Sequence, residues 1–325
     1  MTTLTVSDIP LEATAPAQRL RRHAAAVRVS LHWWGVHRSL TNRQKEEVSA
    51  AYAADARFVT AGKKLVDTRH DAFRKLTAVR TRIVSYWRGL TLPYTEPGVR
   101  LIRQCDVEAF AQTMEGFRDE LAHAEGELNG VYHQIKEDAL RRLGRLFDPA
   151  DYPEEVRGLF AVAWDFPSVE PPSYLMRVAP EVHEQESRRV AARFEEAVRL
   201  AEQAFAAEFA GLLEHLAERL SDGPEGRRKV FRDSAVTNLT DFFQRFRNLN
   251  VRSNAELDAL VAQAQGLVRG VVLHDLRADG GLRRQIAESM SQVRSRVESL
   301  IVDAPRRRIV RARPATNGAT HAPSD

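Results

Sequence analysis

Glu120 and His123 form the residue pair whose spacing comes closest to a metal-binding pattern. In di-iron helical bundles, two Glu-x-x-His pairs face one another and two further inward carboxylates complete the site. No second Glu-x-x-His occurs in this chain. Both residues also lie beside the apolar positions Leu121 and Ala124 rather than on the apolar face itself. We therefore interpret them as a polar pair on a helix surface and predict no metal site.

The other residue types that commonly carry catalysis are few. Cys105 is the single cysteine, which excludes an internal disulfide and a cysteine-based metal cluster. Without an identified neighbouring base, we expect its thiol to be inert. The histidines have no zinc-binding spacing, and the chain has no phosphate-binding loop, Gly-x-Gly-x-x-Gly or Gly-x-Ser-x-Gly motif. We therefore predict a protein without catalytic activity and without a cofactor.

Clusters of basic residues favour an acidic partner more than any motif favours an enzyme. The net charge is +4, and mobile arginines can neutralise phosphates and release their counterions. Against nucleic-acid binding, the clusters at residues 141–145 and 227–229 are interleaved with acidic residues, and no base-reading motif is visible. The basic clusters outside the candidate contacts are Arg19, Arg21 and Arg22, and Arg141, Arg142 and Arg145. The candidate nucleic-acid contacts are Arg227, Arg228, Lys229, Arg306, Arg307, Arg308, Arg311 and Arg313.

The elements that would position these residues are mostly helical. The composition, 43% hydrophobic and 28% charged, is rich in helix-favouring residues and poor in the β-branched and aromatic runs of strands. Over residues 106–147 the apolar side chains alternate in steps of four and three, which is typical of a helix packed lengthwise against another. Those apolar positions are Phe110, Met114, Phe117, Leu121, Ala124, Leu128, Val131 and Ile135.

A second long helix is expected over residues 42–88, capped by Thr41 or Asn42 and apolar in its second half. The two prolines and two glycines of residues 89–98 halt this helix and turn the chain. Two long helices joined in this way most simply fold into an elongated, antiparallel, coiled-coil-like hairpin. Further helices are expected over residues 181–220, 226–248, 253–277 and 282–300.

A small β element accompanies the helices. Residues 27–33 alternate apolar and polar side chains, which is the period of a half-buried strand. Residues 90–92 and 99–102 are the segments that can pair with it. The connector after residue 148 is rich in proline and aromatic residues, and we expect it to pack on the hairpin with one short helix over residues 154–163.

Four regions follow from these elements. We predict a disordered N-terminus over residues 1–16, a helical hairpin or bundle with the β element over residues 17–221, a helical cluster over residues 222–304, and a disordered basic tail over residues 305–325. The N-terminus lacks the apolar core of a signal peptide, and no stretch of apolar residues is long enough to span a membrane. The sequence therefore favours a cytoplasmic protein.

Three segments carry a resemblance to a known family. They are residues 86–94 (YWRGLTLPY), 98–102 (GVRLI) and 146–153 (LFDPADYP), preceded by an alternating stretch ending in Trp-Gly over residues 29–35. Together they resemble a family of helical bacterial and phage proteins known only as a domain of unknown function, over about residues 27–220. The resemblance implies an origin in phages or mobile elements, sometimes beside a ring-forming AAA+ ATPase and a von Willebrand-type protein. It implies no catalytic residue.

The sequence as a whole favours a non-catalytic interaction or scaffold protein. Long amphipathic helices with several apolar faces often leave one face for a partner or for a second copy of the chain. The partner is not identified by the residues; an adaptor role for an AAA+ ATPase is implied by the family resemblance alone. A homo-oligomer also fits. The alternative function is nucleic-acid binding through the arginine-rich patches and the basic tail.

Overall fold

The computed structural model describes residues 15–220, 234–269 and 279–302 of the chain. These ranges are mostly helical and contain a small antiparallel sheet, as the composition predicts. No helix within them has both the length and the apolar character of a membrane-spanning segment. The chain divides into two compact units: unit 1 comprises Met1–Phe205 and Thr240–Ala255, and unit 2 comprises Ala206–Leu239 and Glu256–Asp325.

The helices and strands are numbered separately in chain order. The helices are α1 (Pro16–His23), α2 (Asn42–Ala51), α3 (Asp71–Leu90), α4 (Val107–Leu143), α5 (Leu175–Val178), α6 (Pro180–Leu220), α7 (Ser234–Leu249), α8 (Ala255–Val268) and α9 (Gly280–Val302). The strands are β1 (Ala24–Trp33), β2 (His37–Ser39), β3 (Gly62–Lys64), β4 (Thr91–Pro93), β5 (Val99–Arg103) and β6 (Phe160–Asp165).

Unit 1 contains a four-stranded antiparallel sheet in the order β4-β5-β1-β6. The predicted strand over residues 27–33 is confirmed within β1, and the predicted partner segment 99–102 is confirmed as β5, which places Ala26 opposite Leu101. The prediction that residues 90–92 pair with β1 is wrong, because β4 pairs with β5. Gly98 takes a left-handed conformation with φ of 79°, which lets the short connection between β4 and β5 close as a local hairpin.

The second neighbour of β1 is β6, where the sequence predicted a helix over residues 154–163. That prediction is wrong. Phe160 and Val162 are buried whereas Ala161 and Ala163 are exposed, and this period of two belongs to a strand with one covered face. The register sets Val162 opposite Leu31 and Phe160 opposite Trp33. Pairing with a distant strand therefore decides the conformation of this segment.

Helices α3 and α4 pack antiparallel in unit 1. Lys75 Nζ of α3 lies 2.8 Å from Glu127 Oε2 of α4, and towards the opposite ends Tyr86 stacks on Phe110 with ring centroids 5.8 Å apart. The apolar positions predicted for α4 form its packed face: Phe110, Met114, Leu121, Ala124, Leu128 and Ile135 are buried. Phe117 and Val131 are partly buried against the same core. The elongated, coiled-coil-like form of the hairpin remains a prediction.

The predicted helix over residues 42–88 is wrong in its middle part. Helix α2 begins at a capping box between Thr41 and Gln44 and ends at Ala51, and Ala53 takes a left-handed conformation with φ of 50°. The chain then forms a 3₁₀ turn, Ala56–Phe58, and strand β3, which pairs with β2. Gly62 allows this pairing, since a Cβ there would lie 3.1 Å from the carbonyl oxygen of Arg38.

Unit 2 is a helical cluster in the residues described. The buried positions of α8 and α9 recur every three or four residues, as on one face of a helix; they are Leu257, Leu260, Val261, Ala264, Ile286, Met290, Val293 and Val297. The predicted helices over residues 181–220 and 282–300 are confirmed by α6 and α9. Residues 226–233 and 270–277 of the other predicted helices lie outside the described ranges, as do residues 1–14 and 305–325 of the predicted disordered segments.

Candidate functional site

The predicted nucleic-acid contacts lie outside the residues that the structure describes. This applies to the cluster around residue 228 and to the cluster in the C-terminal tail. Their positions therefore remain a sequence prediction. The residues concerned are Arg227, Arg228, Lys229, Arg306, Arg307, Arg308, Arg311 and Arg313.

Glu120 and His123 are each engaged by a different neighbour. The Glu120 carboxylate is bound by the guanidinium of Arg82 on α3, and His123 Nε2 lies 3.7 Å from Glu127 Oε1 one turn further along α4. Both side chains are exposed beside the apolar face, where the sequence places them. Within the described residues, no group of three or more His, Cys, Asp or Glu side chains is arranged to hold a metal ion.

Cys105 lies in the 3₁₀ turn between β5 and α4 and is exposed. Its Sγ atom is 3.8 Å from Asp106 Oδ1. The two oxygens of that carboxylate accept hydrogen bonds from Arg103, Nε donating at 2.6 Å and Nη2 at 2.8 Å. The acid next to the thiol is therefore already engaged by a cation, and it serves to fix Arg103.

The basic cluster of Arg141, Arg142 and Arg145 is locally neutralised. Arg141 is bound by Asp138 one turn earlier on α4, and Arg142 Nη1 lies 2.6 Å from Asp67 Oδ2. Arg145 Nη2 lies 3.7 Å from a carboxylate oxygen of α2. Because each cation already has an acidic partner, this cluster offers little charge to an external anion.

The ion pairs of Asp67 should make the stability of the folded protein depend on pH. Hydrogen bonds from Arg69 and then Arg142 hold the pKa of Asp67 well below its ordinary value of 3.8. A lowered folded-state pKa stabilises the folded protein above the unfolded-state pKa, and that stabilisation is lost as the pH falls towards the folded-state value. Asp67→Asn, which keeps an acceptor oxygen for the backbone N–H of Arg69, should therefore lower the urea midpoint at neutral pH. The difference from wild type should shrink below about pH 4. A difference of equal size at neutral pH and at about pH 3 would contradict this explanation.

Two aromatic side chains stand out on the surface of unit 1. Tyr52 follows the last residue of α2 and is 82% exposed, and Phe58 ends the following 3₁₀ turn and is 87% exposed. Asp55 and Arg57 between them form an ion pair at 2.6 Å. We call residues 52–58 the aromatic loop. It lies inside the segment that was predicted as a continuous helix, and for that reason the sequence analysis did not identify it.

A second feature of unit 1 is a cavity of about 570 Å³ on the face of the sheet formed by β4 and β5. Its walls come from α1, the start of β1, the two strands, and residues 247–252 at the end of α7. We call it the cationic cavity, since none of its lining residues is acidic and five are basic. The basic lining residues are Arg19, His23, Arg103, Arg247 and Arg252.

The sequence signalled the cationic cavity only in part. Arg19 belongs to a basic cluster that the sequence singled out, but Arg103 and Arg247 lie in separate elements far along the chain. A hydrogen bond joins α1 to the segment that follows α7: Arg19 Nη2 donates to the carbonyl oxygen of Val251 at 2.6 Å. Such contacts between distant residues leave no periodic trace in the sequence.

Comparison of the chain with protein-family models, with curated proteins and with solved structures yields no match. The family resemblance of residues 27–220 therefore remains a hypothesis, and any function has to be argued from the residues of the chain itself.

Proposed function

We propose that this protein is a non-catalytic interaction or scaffold protein, and that the aromatic loop contacts its protein partner. The observation that carries the proposal is the exposure of Tyr52 and Phe58, of which 82% and 87% respectively remain open to solvent. An aromatic side chain can bury about 150–250 Å². Two of them on one loop thus offer a large apolar area that only association would remove from water.

The loop is well suited to contact another protein because hydrogen bonds order it. The backbone N–H of Ala54 donates to the carbonyl oxygen of Ser49 in α2 at 2.9 Å, and Asp55 accepts hydrogen bonds from both the backbone and the side chain of Arg57. Ordering a loop before binding reduces the entropy lost on association. Tyrosine is also enriched among the residues that dominate interface energies, whereas isolated surface aliphatics are ordinary.

A more specific adaptor function and the alternative function, nucleic-acid binding, are supported by features other than the aromatic loop. An adaptor role for an AAA+ ATPase of a phage or mobile element is supported by the family resemblance alone, and it requires that ATPase to be among the proteins bound through the loop. Nucleic-acid binding is the alternative. It is supported by the tail, where residues 306–313 contain five arginines and no acidic residue.

Replacing both aromatic residues should abolish partner binding and leave the fold intact. We expect Tyr52→Ser/Phe58→Ser to keep the thermal midpoint of wild type within about 2 °C, because exposed side chains contribute little to stability. Affinity capture from the native host with full-length wild-type protein and with this variant, followed by mass spectrometry, should show a protein retained only by wild type. Sedimentation over a concentration series identifies the case in which the partner is a second copy.

The matched control is another exposed apolar surface of the same unit. Met176→Ser/Val178→Ser alters two exposed side chains on α5 and should leave capture unchanged. If the control variant loses the partner while Tyr52→Ser/Phe58→Ser retains it, the aromatic loop is not the contact surface. If neither substitution changes what is captured or how the protein self-associates, the proposal is refuted.

A further inference from the structure

We propose that the cationic cavity of unit 1 binds a small aliphatic anion, a carboxylate or phosphate monoester that carries an unbranched alkyl chain. This is independent of the proposed interaction function, since the cavity and the aromatic loop are formed by different residues. The cavity of about 570 Å³ falls within the range of roughly 300–1,000 Å³ that is usual for small-molecule sites.

The charge of the lining residues selects an anion. Four arginines and one histidine line the cavity without an acidic residue among its walls. Arg103 is held by Asp106, so part of its charge is compensated. The exposed side chain of Arg247, by contrast, has no hydrogen-bond or ion-pair partner in the described part of the chain. A guanidinium group without a partner can donate two parallel hydrogen bonds to a carboxylate or phosphate.

The rim of the cavity is built by specific hydrogen bonds. Arg252 takes a left-handed conformation with φ of 51°, which is unfavourable for a residue other than glycine. Asn250 Oδ1 accepts a hydrogen bond from the backbone N–H of Arg252 at 2.9 Å, and Arg19 holds the carbonyl oxygen of Val251. These bonds hold the turn that places Arg252 at the rim of the cavity.

The apolar lining selects an alkyl chain over an aromatic ring. The apolar lining residues are Leu20, Ala24, Leu92, Leu101, Ile102, Leu249 and Val251. Apart from the imidazole of His23, no ring lines the cavity, and nucleotide bases are usually bound by stacking on aromatic side chains. A nucleotide is therefore disfavoured, and an anionic head group joined to a flexible chain is favoured.

The chain length of the ligand should control its affinity. Each methylene group that enters an apolar site improves the dissociation constant by about fourfold. Isothermal titration of the full-length protein with hexanoate, octanoate and decanoate should therefore show a stepwise gain in affinity. Decyl phosphate tests the second head group, and the tighter of decanoate and decyl phosphate identifies the preferred anion. The uncharged 1-decanol should bind at least tenfold more weakly than either.

Charge reversal locates the binding site. Arg247→Glu should raise the dissociation constant of the preferred anion at least tenfold, since it replaces a hydrogen-bond donor by a carboxylate that repels the anion. Arg43→Glu, the same change at an exposed position on α2 outside the cavity, should leave binding unchanged. The unfolding midpoint followed by tryptophan fluorescence, measured for both variants without ligand, shows whether the fold is retained.

Several results would overturn the proposal. One is the absence of binding heat for both decanoate and decyl phosphate up to about 1 mM. A second is binding of 1-decanol as tight as that of the anions. A third is equal affinity of wild type and a folded Arg247→Glu variant, because the anion would then bind elsewhere. If Arg247→Glu fails to fold, Arg252→Gly, which keeps the left-handed backbone and removes the cation, has to weaken binding for the proposal to stand.

Discussion

Phe110→Ala is expected to reduce the free energy of unfolding of unit 1 by about 3–5 kcal/mol. The Phe110 side chain is 0% exposed. It stacks on Tyr86 of α3 and meets the ring of Phe166 edge-on, with centroids 6.3 Å apart. Alanine would lose these contacts and leave a cavity between α3 and α4. Neither helix can collapse freely into that space, because Leu121 and Leu128 of α4 stay packed in the same core further along.

The tryptophans allow this loss to be measured on unit 1 alone. The chain has four tryptophans, and all of them, Trp33, Trp34, Trp87 and Trp164, belong to unit 1. Thermal unfolding followed by tryptophan fluorescence should show a midpoint lowered by about 10 °C for Phe110→Ala. Phe58→Ala is the matched control, since it makes the same chemical change at a ring that is 87% exposed. Equal midpoints for the two variants would show that the α3–α4 contact does not hold unit 1 together.

The burial of Phe110 could be predicted from the sequence, because the spacing that defines the packed face of a helix is a local property. Steps of three and four return a side chain to the same side of any α-helix, so the spacing of Met114, Leu121 and Leu128 shows which face is covered before the covering element is known. The same argument applies to the apolar face of α6. The alternation of β1 is local in the same sense.

The parts that sequence did not predict depend on distant residues. Phe160 and Val162 become strand residues because β1 supplies an open edge, and that edge is more than one hundred residues away along the chain. Helix propensity over residues 52–70 is likewise overridden by the pairing of β3 with β2 and by the burial of Leu65 and Val66. The cationic cavity combines residues of α1, β5 and the end of α7, so no single window of sequence contains it.

Lys63→Met is expected to destabilise unit 1 by about 3 kcal/mol, although methionine fills a similar volume. The Lys63 side chain is only 5% exposed. Its Nζ atom donates to the carbonyl oxygen of Leu146 at 2.7 Å and lies 2.6 Å from Asp151 Oδ2. Removing the cation leaves a carboxylate and a carbonyl group facing an apolar side chain. Desolvated polar groups that lose a partner cost more free energy than the intact interaction contributes.

A double replacement separates the charge effect from the packing effect. Lys63→Met/Asp151→Ala removes the stranded carboxylate as well, so it should recover much of the stability lost in Lys63→Met. Urea unfolding followed by tryptophan fluorescence measures both variants on unit 1. Lys75→Met/Glu127→Ala provides the control, because the corresponding pair on α3 and α4 is exposed and should change stability by less than about 1 kcal/mol. A Lys63→Met protein as stable as wild type would mean that only the aliphatic part of Lys63 supports the fold. The ion pair between Lys63 of β3 and Asp151 of the 3₁₀ turn Pro149–Asp151 would then make no net contribution to stability.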